Sequence, residues 1–271
     1  MKKISTSFLL LFALLIVLAG CGSSENSNAK GENEGDKKTV KVLTNAAYAP
    51  MEYMDNNKPT GFDIDLIKEL GTEAGYEVEI EHIGWDPLFI EIESERADIG
   101  ISSITITEER QEKYDFSVPY YLSTNKILVP EDSTITSGAD LKDKVIAVQG
   151  GTTGMEIAED ILGKNHKDVK KFEENTLAIM ELTKNGADAV IADSPIVEYY
   201  KTQNPGDKLK VIEDSSFSSE YYGIMFAKGN TELKEAFDKA LNTLFDNGKY
   251  EEIYEKWFGS KPDIENLKAQ Q

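Results

Sequence analysis

The sequence has one cysteine, Cys21, and two histidines, His82 and His166. A single thiol excludes an intramolecular disulfide and any metal site built on several cysteines. Two imidazoles leave few candidates for acid–base or nucleophilic chemistry. His82 lies in an alternating, strand-like stretch and His166 in the polar run Gly163-Lys164-Asn165, and neither has a metal or nucleophile partner nearby in the sequence. HExxH and GxSxG are both missing. No basic stripe is present either: 29 Lys and Arg face 49 Asp and Glu, for a formal net charge of −20. Such a chain cannot displace counterions from nucleic acid. Its acidity serves solubility and sets up a field that attracts cations. Gly150-Gly151-Thr152-Thr153-Gly154 lacks both the Gly-Lys-Ser/Thr ending of a P-loop and the GxGxxG spacing, which argues against a nucleotide. Asp55-Asn56-Asn57 departs from a calcium loop and reads as a turn. With no cofactor, metal or catalytic signature, the chain reads as something other than an enzyme.

What is there begins at the N-terminus. Lys2 and Lys3 precede an apolar run over 8–19 that is short for a bilayer span, and the run ends in Leu18-Ala19-Gly20-Cys21. Small residues directly before a cysteine resemble the bacterial lipoprotein cleavage site. The expectation is a signal peptide over 1–20, lipidation at Cys21, and attachment to the extracytoplasmic face of the cell membrane. Residues 21–38 are Ser, Asn, Gly, Glu and Lys without a large apolar side chain, the composition of a disordered tether.

From 39 onward, strands and helices alternate. TVKVLT (39–44) and 78–83 read as strands, and 61–74 and 85–94 as helices with Phe62, Ile64, Ile67 and Leu70 inward. That β-α-β-α-β order predicts a parallel sheet with right-handed crossovers. The loops at Asn45, Trp85 and Ser102 all follow strands, on the edge where open α/β sheets hold ligands. A second α/β series runs from about 125 to 213. A strand over 222–227 and helices over 231–246 and 250–258 complete the pattern.

The segment DIGISSITITEERQEKYDFSVPY (98–120) carries the most chemistry. Thr107 reads as a helix N-cap followed by Glu108 and Glu109, with Arg110 in the first turn. Beside it, Ser102, Ser103 and Thr105 offer hydroxyls and backbone amides, and a guanidinium among such groups can grip both oxygens of a carboxylate. Arg110 paired with Glu109 or Glu112 on the surface is the competing reading. Asp193 ends the apolar strand Ala189-Val190-Ile191-Ala192, where it could hold an ammonium or simply cap the helix that opens at Ser194-Pro195. Tyr48 and Trp85 are either ligand-facing aromatics or ordinary core.

GFDIDL (61–66), GWDPLF (84–89), ADIGISSITITEER (97–110), YDFSVPYY (114–121), GADAVIADSP (186–195) and KYEEIYEKWFG (249–259) together resemble the polar amino-acid-binding proteins of ABC importers. GWDPLF, ISSITITEER and KKFEENTLAIMEL are similar to the arginine/lysine/histidine-binding lipoproteins of Gram-positive bacteria. The resemblance implies a two-lobed α/β fold of the type II periplasmic-binding-protein kind, with two crossover hinge strands. Lobe 1 would comprise 39–121 and 222–260, lobe 2 would comprise 122–221, and 261–271 would be a C-terminal tail. It further implies a monomer that clamps one free amino acid and passes it to an ABC permease. In that picture Arg110, the Thr105 backbone and Thr153 take the ligand carboxylate, and Asp193 takes the ammonium. Tyr48 and Trp85 sandwich the side chain, Ser102 and Ser103 supply acceptors, and Asn45 and Gln149 face the distal end. Asn45 stands where many relatives carry Asp, which weakens the case for a cationic ligand. Gln149 stands where glutamine binders carry Lys, which weakens the case for glutamine. Arginine or another basic amino acid is the first expectation, then glutamine, cystine or another polar amino acid. A lyase resembling cyclohexadienyl dehydratase comes last.

Overall fold

The computed structural model describes residues 38–271. The expected signal peptide, the lipidated Cys21 and nearly all of the tether lie outside the described residues. Lys38, placed at the end of that tether, already pairs with Tyr76. The first α/β series comprises β1 (Lys38–Thr44), β2 (Ala47–Tyr48), β3 (Glu52–Asp55), β4 (Lys58–Thr60), α1 (Phe62–Ala74), β5 (Tyr76–His82), α2 (Trp85–Glu93), β6 (Ile99–Gly100), α3 (Glu108–Lys113) and β7 (Tyr114–Phe116). Alternation in β1 buries Val40 and Val42, and β1 sits between β5 and β6, parallel to both. The small sheet β2-β3-β4 turns at Asn56 and Asn57, both in the left-handed region with φ of 48° and 61°. Short polar side chains tolerate that conformation in a tight hairpin.

Gly61 joins this hairpin to α1. Its φ is 133°, and a Cβ there would stand 2.1 Å from the Met51 carbonyl oxygen. Only glycine permits that approach, and it lets the Phe62 and Asp63 amides donate to Pro50 and Met51 at 3.1 and 2.9 Å. Glu52 and Asp63 are thereby brought to one place.

The second series comprises β8 (Tyr121–Pro130), β9 (Ile146–Gln149), α4 (Thr153–Leu162), β10 (Val169–Phe172), α5 (Asn175–Thr183), β11 (Ala189–Asp193), α6 (Ser194–Gln203) and β12 (Leu209–Ile212). The chain ends with β13 (Ser219–Tyr222), β14 (Met225–Ala227), α7 (Thr231–Asn247), α8 (Lys249–Phe258) and α9 (Ile264–Lys268). The two main sheets have the orders β5-β1-β6-β14-β7 and β10-β9-β11-β8-β12. Two antiparallel strands run between them: β8 pairs with β13 over its first residues and with β11 and β12 over its later ones.

The sequence predicts one strand over 222–227, but the structure breaks it at Gly223-Ile224. Tyr222 stays beside Tyr121 while Met225 crosses to Gly100 and Phe116. Gly223 is pressed against the Ile106 side chain, where a Cβ would be 2.8 Å away. Residues 261–271 are more than a tail. The Asp263 carboxylate caps α9, Leu267 is buried, and Asn266 accepts the Tyr221 hydroxyl at 2.8 Å. Among the described residues no helix is long and apolar enough to cross a membrane.

Candidate functional site

A narrow, nearly filled cavity of about 20 Å³ lies between the two main sheets, at the carboxyl ends of their parallel strands. Every residue singled out from the sequence for ligand contact lines it: Asn45, Tyr48, Trp85, Ser102, Ser103, Thr105, Arg110, Gln149, Thr153 and Asp193.

Arg110 is set by its helix. Thr107 caps α3 by accepting the Arg110 amide, and the guanidinium turns back into the cleft instead of toward Glu109 or Glu112. Nη1 donates to the Thr105 carbonyl at 2.8 Å, and Nη2 crosses the cleft to the Gly151 carbonyl at 3.1 Å. The guanidinium carbon also sits 5.6 Å from the Trp85 ring centroid and 5.4 Å from that of Phe89, within cation–π range. Among the described residues no carboxylate lies within salt-bridge distance of it, so its charge remains available to an anion. Burial lowers its pKa, and Glu156, Asp193 and Glu220 pull the other way. Thr105 bridges Tyr222 in strand fashion, with the Ile106 amide bonded to Tyr221 and the Ile104 carbonyl to Gly223, and its own carbonyl is turned to Arg110.

Asp193 occupies the N-cap position of α6 but does not cap its helix through its side chain. Oδ2 instead accepts the Tyr48 hydroxyl at 2.6 Å, across the cleft. Burial raises the Asp193 pKa, and the Tyr48 bond opposes the shift. Trp85 makes a second crossing, Nε1 to the Gly151 carbonyl at 3.2 Å. Gly151 therefore presents its carbonyl to the cleft residues, and its amide meets the Met155 sulfur at 3.4 Å. At the far end, Gln149 donates to Glu173 O at 2.9 Å and reaches Asn45 Oδ1 at 3.4 Å, while Asn175 donates to Gln149 Oε1 at 2.7 Å.

The model of the bacterial extracellular solute-binding proteins, family 3, matches residues 40–260. The chain belongs to that family. It is 33% identical over 264 residues to a probable histidine-binding protein of Neisseria gonorrhoeae, covering 96% of this chain and 97% of the relative. It is 34% identical over 254 residues to the arginine-binding extracellular protein ArtP of Bacillus subtilis, covering 92% and 96%. The arginine-, lysine-, histidine-binding protein ArtJ of Geobacillus stearothermophilus superposes with a TM-score of 0.83 at 50% identity, over 85% of this chain and all of that one.

This solute-binding protein also holds acids that the sequence did not single out. Glu52 lines the cavity and is 1% exposed. It takes the hydroxyls thought to serve the ligand: Ser102 Oγ donates to Oε1 at 2.9 Å and Ser103 Oγ to Oε2 at 3.4 Å. Asp63, fully buried, accepts the Ser103 amide and the Tyr120 hydroxyl, each at 2.8 Å. Ser103 has φ 50°, a strained value for a non-glycine residue, and this bond pins it there. Glu220 of β13 accepts from Thr105 Oγ1 at 2.9 Å, Thr153 Oγ1 at 2.8 Å and Asn125 Nδ2 at 2.8 Å, tying both halves of the solute-binding protein to one strand. Of the histidines, His82 Nδ1 accepts the Ala46 amide at 3.0 Å, a loop-holding bond.

Proposed function

We propose that the protein captures one free amino acid with a positively charged side chain, arginine first, and delivers it to an ABC permease as a monomer. Arg110 takes the α-carboxylate with the Thr105 backbone and the amino end of α4 at Thr153. Asp193 takes the α-ammonium, and Tyr48 and Trp85 flank the side chain. Charge counting supports the choice of side chain. Once the head group has used Arg110 and Asp193, one carboxylate, Glu52, is left in the cavity wall. A neutral side chain would leave that buried acid without a countercharge; a guanidinium or ammonium supplies one. The names of the relatives, histidine-binding and arginine-binding, lean the same way. The missing Asp at position 45 is thus offset from another strand.

Transport rather than catalysis is the reading because the cleft's charged groups are matched to a bound zwitterion. Lipidation at Cys21 would hold the protein at the extracytoplasmic membrane surface, and intact-mass measurement of the native protein would reveal the acyl chains.

The test is a thermal-shift and calorimetric screen of the twenty amino acids with ornithine, citrulline, cystine, prephenate and arogenate, since a tight ligand raises the melting temperature by mass action. Arginine and lysine are expected to give the largest shifts. Glutamine or cystine above arginine would overturn the assignment of the side chain, and turnover of prephenate or arogenate would overturn the transport reading.

A further inference from the structure

Two buried acids stand side by side in this protein with no base between them. Glu52 from β3 and Asp63 from the first turn of α1 are 1% and 0% exposed, and one residue, Ser103, holds them both. Its hydroxyl turns toward Glu52 Oε2 and its amide donates to Asp63 Oδ2. The second Asp63 oxygen, Oδ1, is buried and has no donor from any other described residue. Two ionised carboxylates buried around one serine repel each other, so with no countercharge the pair holds a proton on one.

The groups around the pair do not supply a countercharge. Tyr48 on β2, Tyr120 before β8 and Tyr250 on α8 are phenols that burial keeps neutral. On β3 and β4, Tyr53 points outward and Asp55 and Lys58 are exposed. Across the cavity stand Asp193 and Arg110, which the head group occupies. Asp65, the other acid of the first turn of α1, faces outward to Lys256.

We propose that Glu52 and Asp63 share one proton until a cationic side chain enters beside Glu52, and that this side chain expels the proton, so that basic amino acids bind with proton release and neutral ones do not. The inference rests on the basic-ligand reading given above. Burial pushes Glu52 well above the usual carboxylate range and Asp63 up to about 6. The sign follows: the bound state holds fewer protons, so affinity for a cation rises with pH until the pair is ionised without help. Specificity becomes a function of pH, with the cleft discriminating most strongly for bases in neutral medium.

Calorimetry on the mature protein decides this, with arginine and glutamine titrated from pH 5 to 8 in buffers of different ionisation enthalpy. Neither ligand titrates in this range, and both share a head group, so any proton linked to Asp193 or Glu220 cancels in the comparison. Arginine is expected to release close to one proton more than glutamine, with its affinity gaining up to about tenfold per pH unit at the acid end. Glu52→Gln is expected to abolish the excess release, and Asp63→Asn to move it to lower pH. Tight arginine binding with no excess release overturns the shared proton and leaves the basic-ligand reading standing. A bound neutral amino acid with no arginine isotherm overturns both.

Discussion

Tyr48 and Asp193 meet at 2.6 Å from opposite sides of the cleft, a phenol donating to a carboxylate. Charge-assisted bonds of this kind contribute roughly 1.5–3 kcal/mol. Tyr48→Phe keeps the ring against the ligand and removes only the donor, so it should weaken binding about 10- to 100-fold, for neutral and basic ligands alike. Asp193→Ala and Arg110→Ala each strand the opposite charge of a buried zwitterion, and at least ~100-fold is expected. Calorimetry reads the affinities, and unchanged circular dichroism shows that the fold persists. Near-wild-type affinity in Asp193→Ala would remove that residue from the ammonium site. Residue-level chemistry was only half legible. Arg110 and Asp193 stood at strand and helix ends where a sequence pattern points. Asp63 and Asp65 look alike as acids in the first turn of a helix, and only the nonlocal contact of Asp63 with Ser103 turns one inward.

At the scale of elements, β13 carries more than connectivity. Glu220 collects three donors, from Thr105 on one side of the cleft and from Thr153 and Asn125 on the other. An amide at this position can accept at one atom only, and its NH2 would face the Asn125 donor. Glu220→Gln should therefore loosen the closed arrangement and weaken every ligand by a common factor of about ten, leaving their ranking unchanged. A change in ranking would instead make Glu220 a ligand contact. The main elements could be read from the sequence because alternation in β1 and the spacing Phe62, Ile67, Leu70 in α1 are local signals. Glu52 and Glu220 could not. Each sits in a short polar strand that looks solvated, and each is covered by a distant partner: Glu52 because Gly61 lets α1 dock on Met51, Glu220 because Thr105 and Thr153 close over it.

Across the whole molecule, each half buries an apolar face of its own, Leu43, Leu88 and Met225 in one and Ile127, Ile146 and Ile191 in the other. A third apolar cluster joins the halves, with Val42 and Ile99 from one and Leu128 and Val190 from the other, while the bonds that cross the cleft itself are polar, Tyr48 to Asp193 and Arg110 and Trp85 to Gly151. Charge also acts at a distance. Within the formal net charge of −20, the mouth of the cleft holds Asp86, Glu109, Glu156, Glu159 and Asp160 against Arg110, Lys113 and Lys164. A cationic amino acid approaches down this potential, and a zwitterion with a neutral side chain does not. Raising the ionic strength from 0.01 to 0.15 M shortens the screening length from about 30 to about 8 Å. Arginine association, followed by stopped-flow Trp fluorescence, should slow several-fold over that range while glutamine association stays nearly constant. The dissociation rates should hold, because the contacts that release the ligand are buried in the closed cleft. If arginine and glutamine slow by the same factor, the field outside the cleft plays no part in choosing between them, and selection falls entirely to the buried carboxylate at position 52.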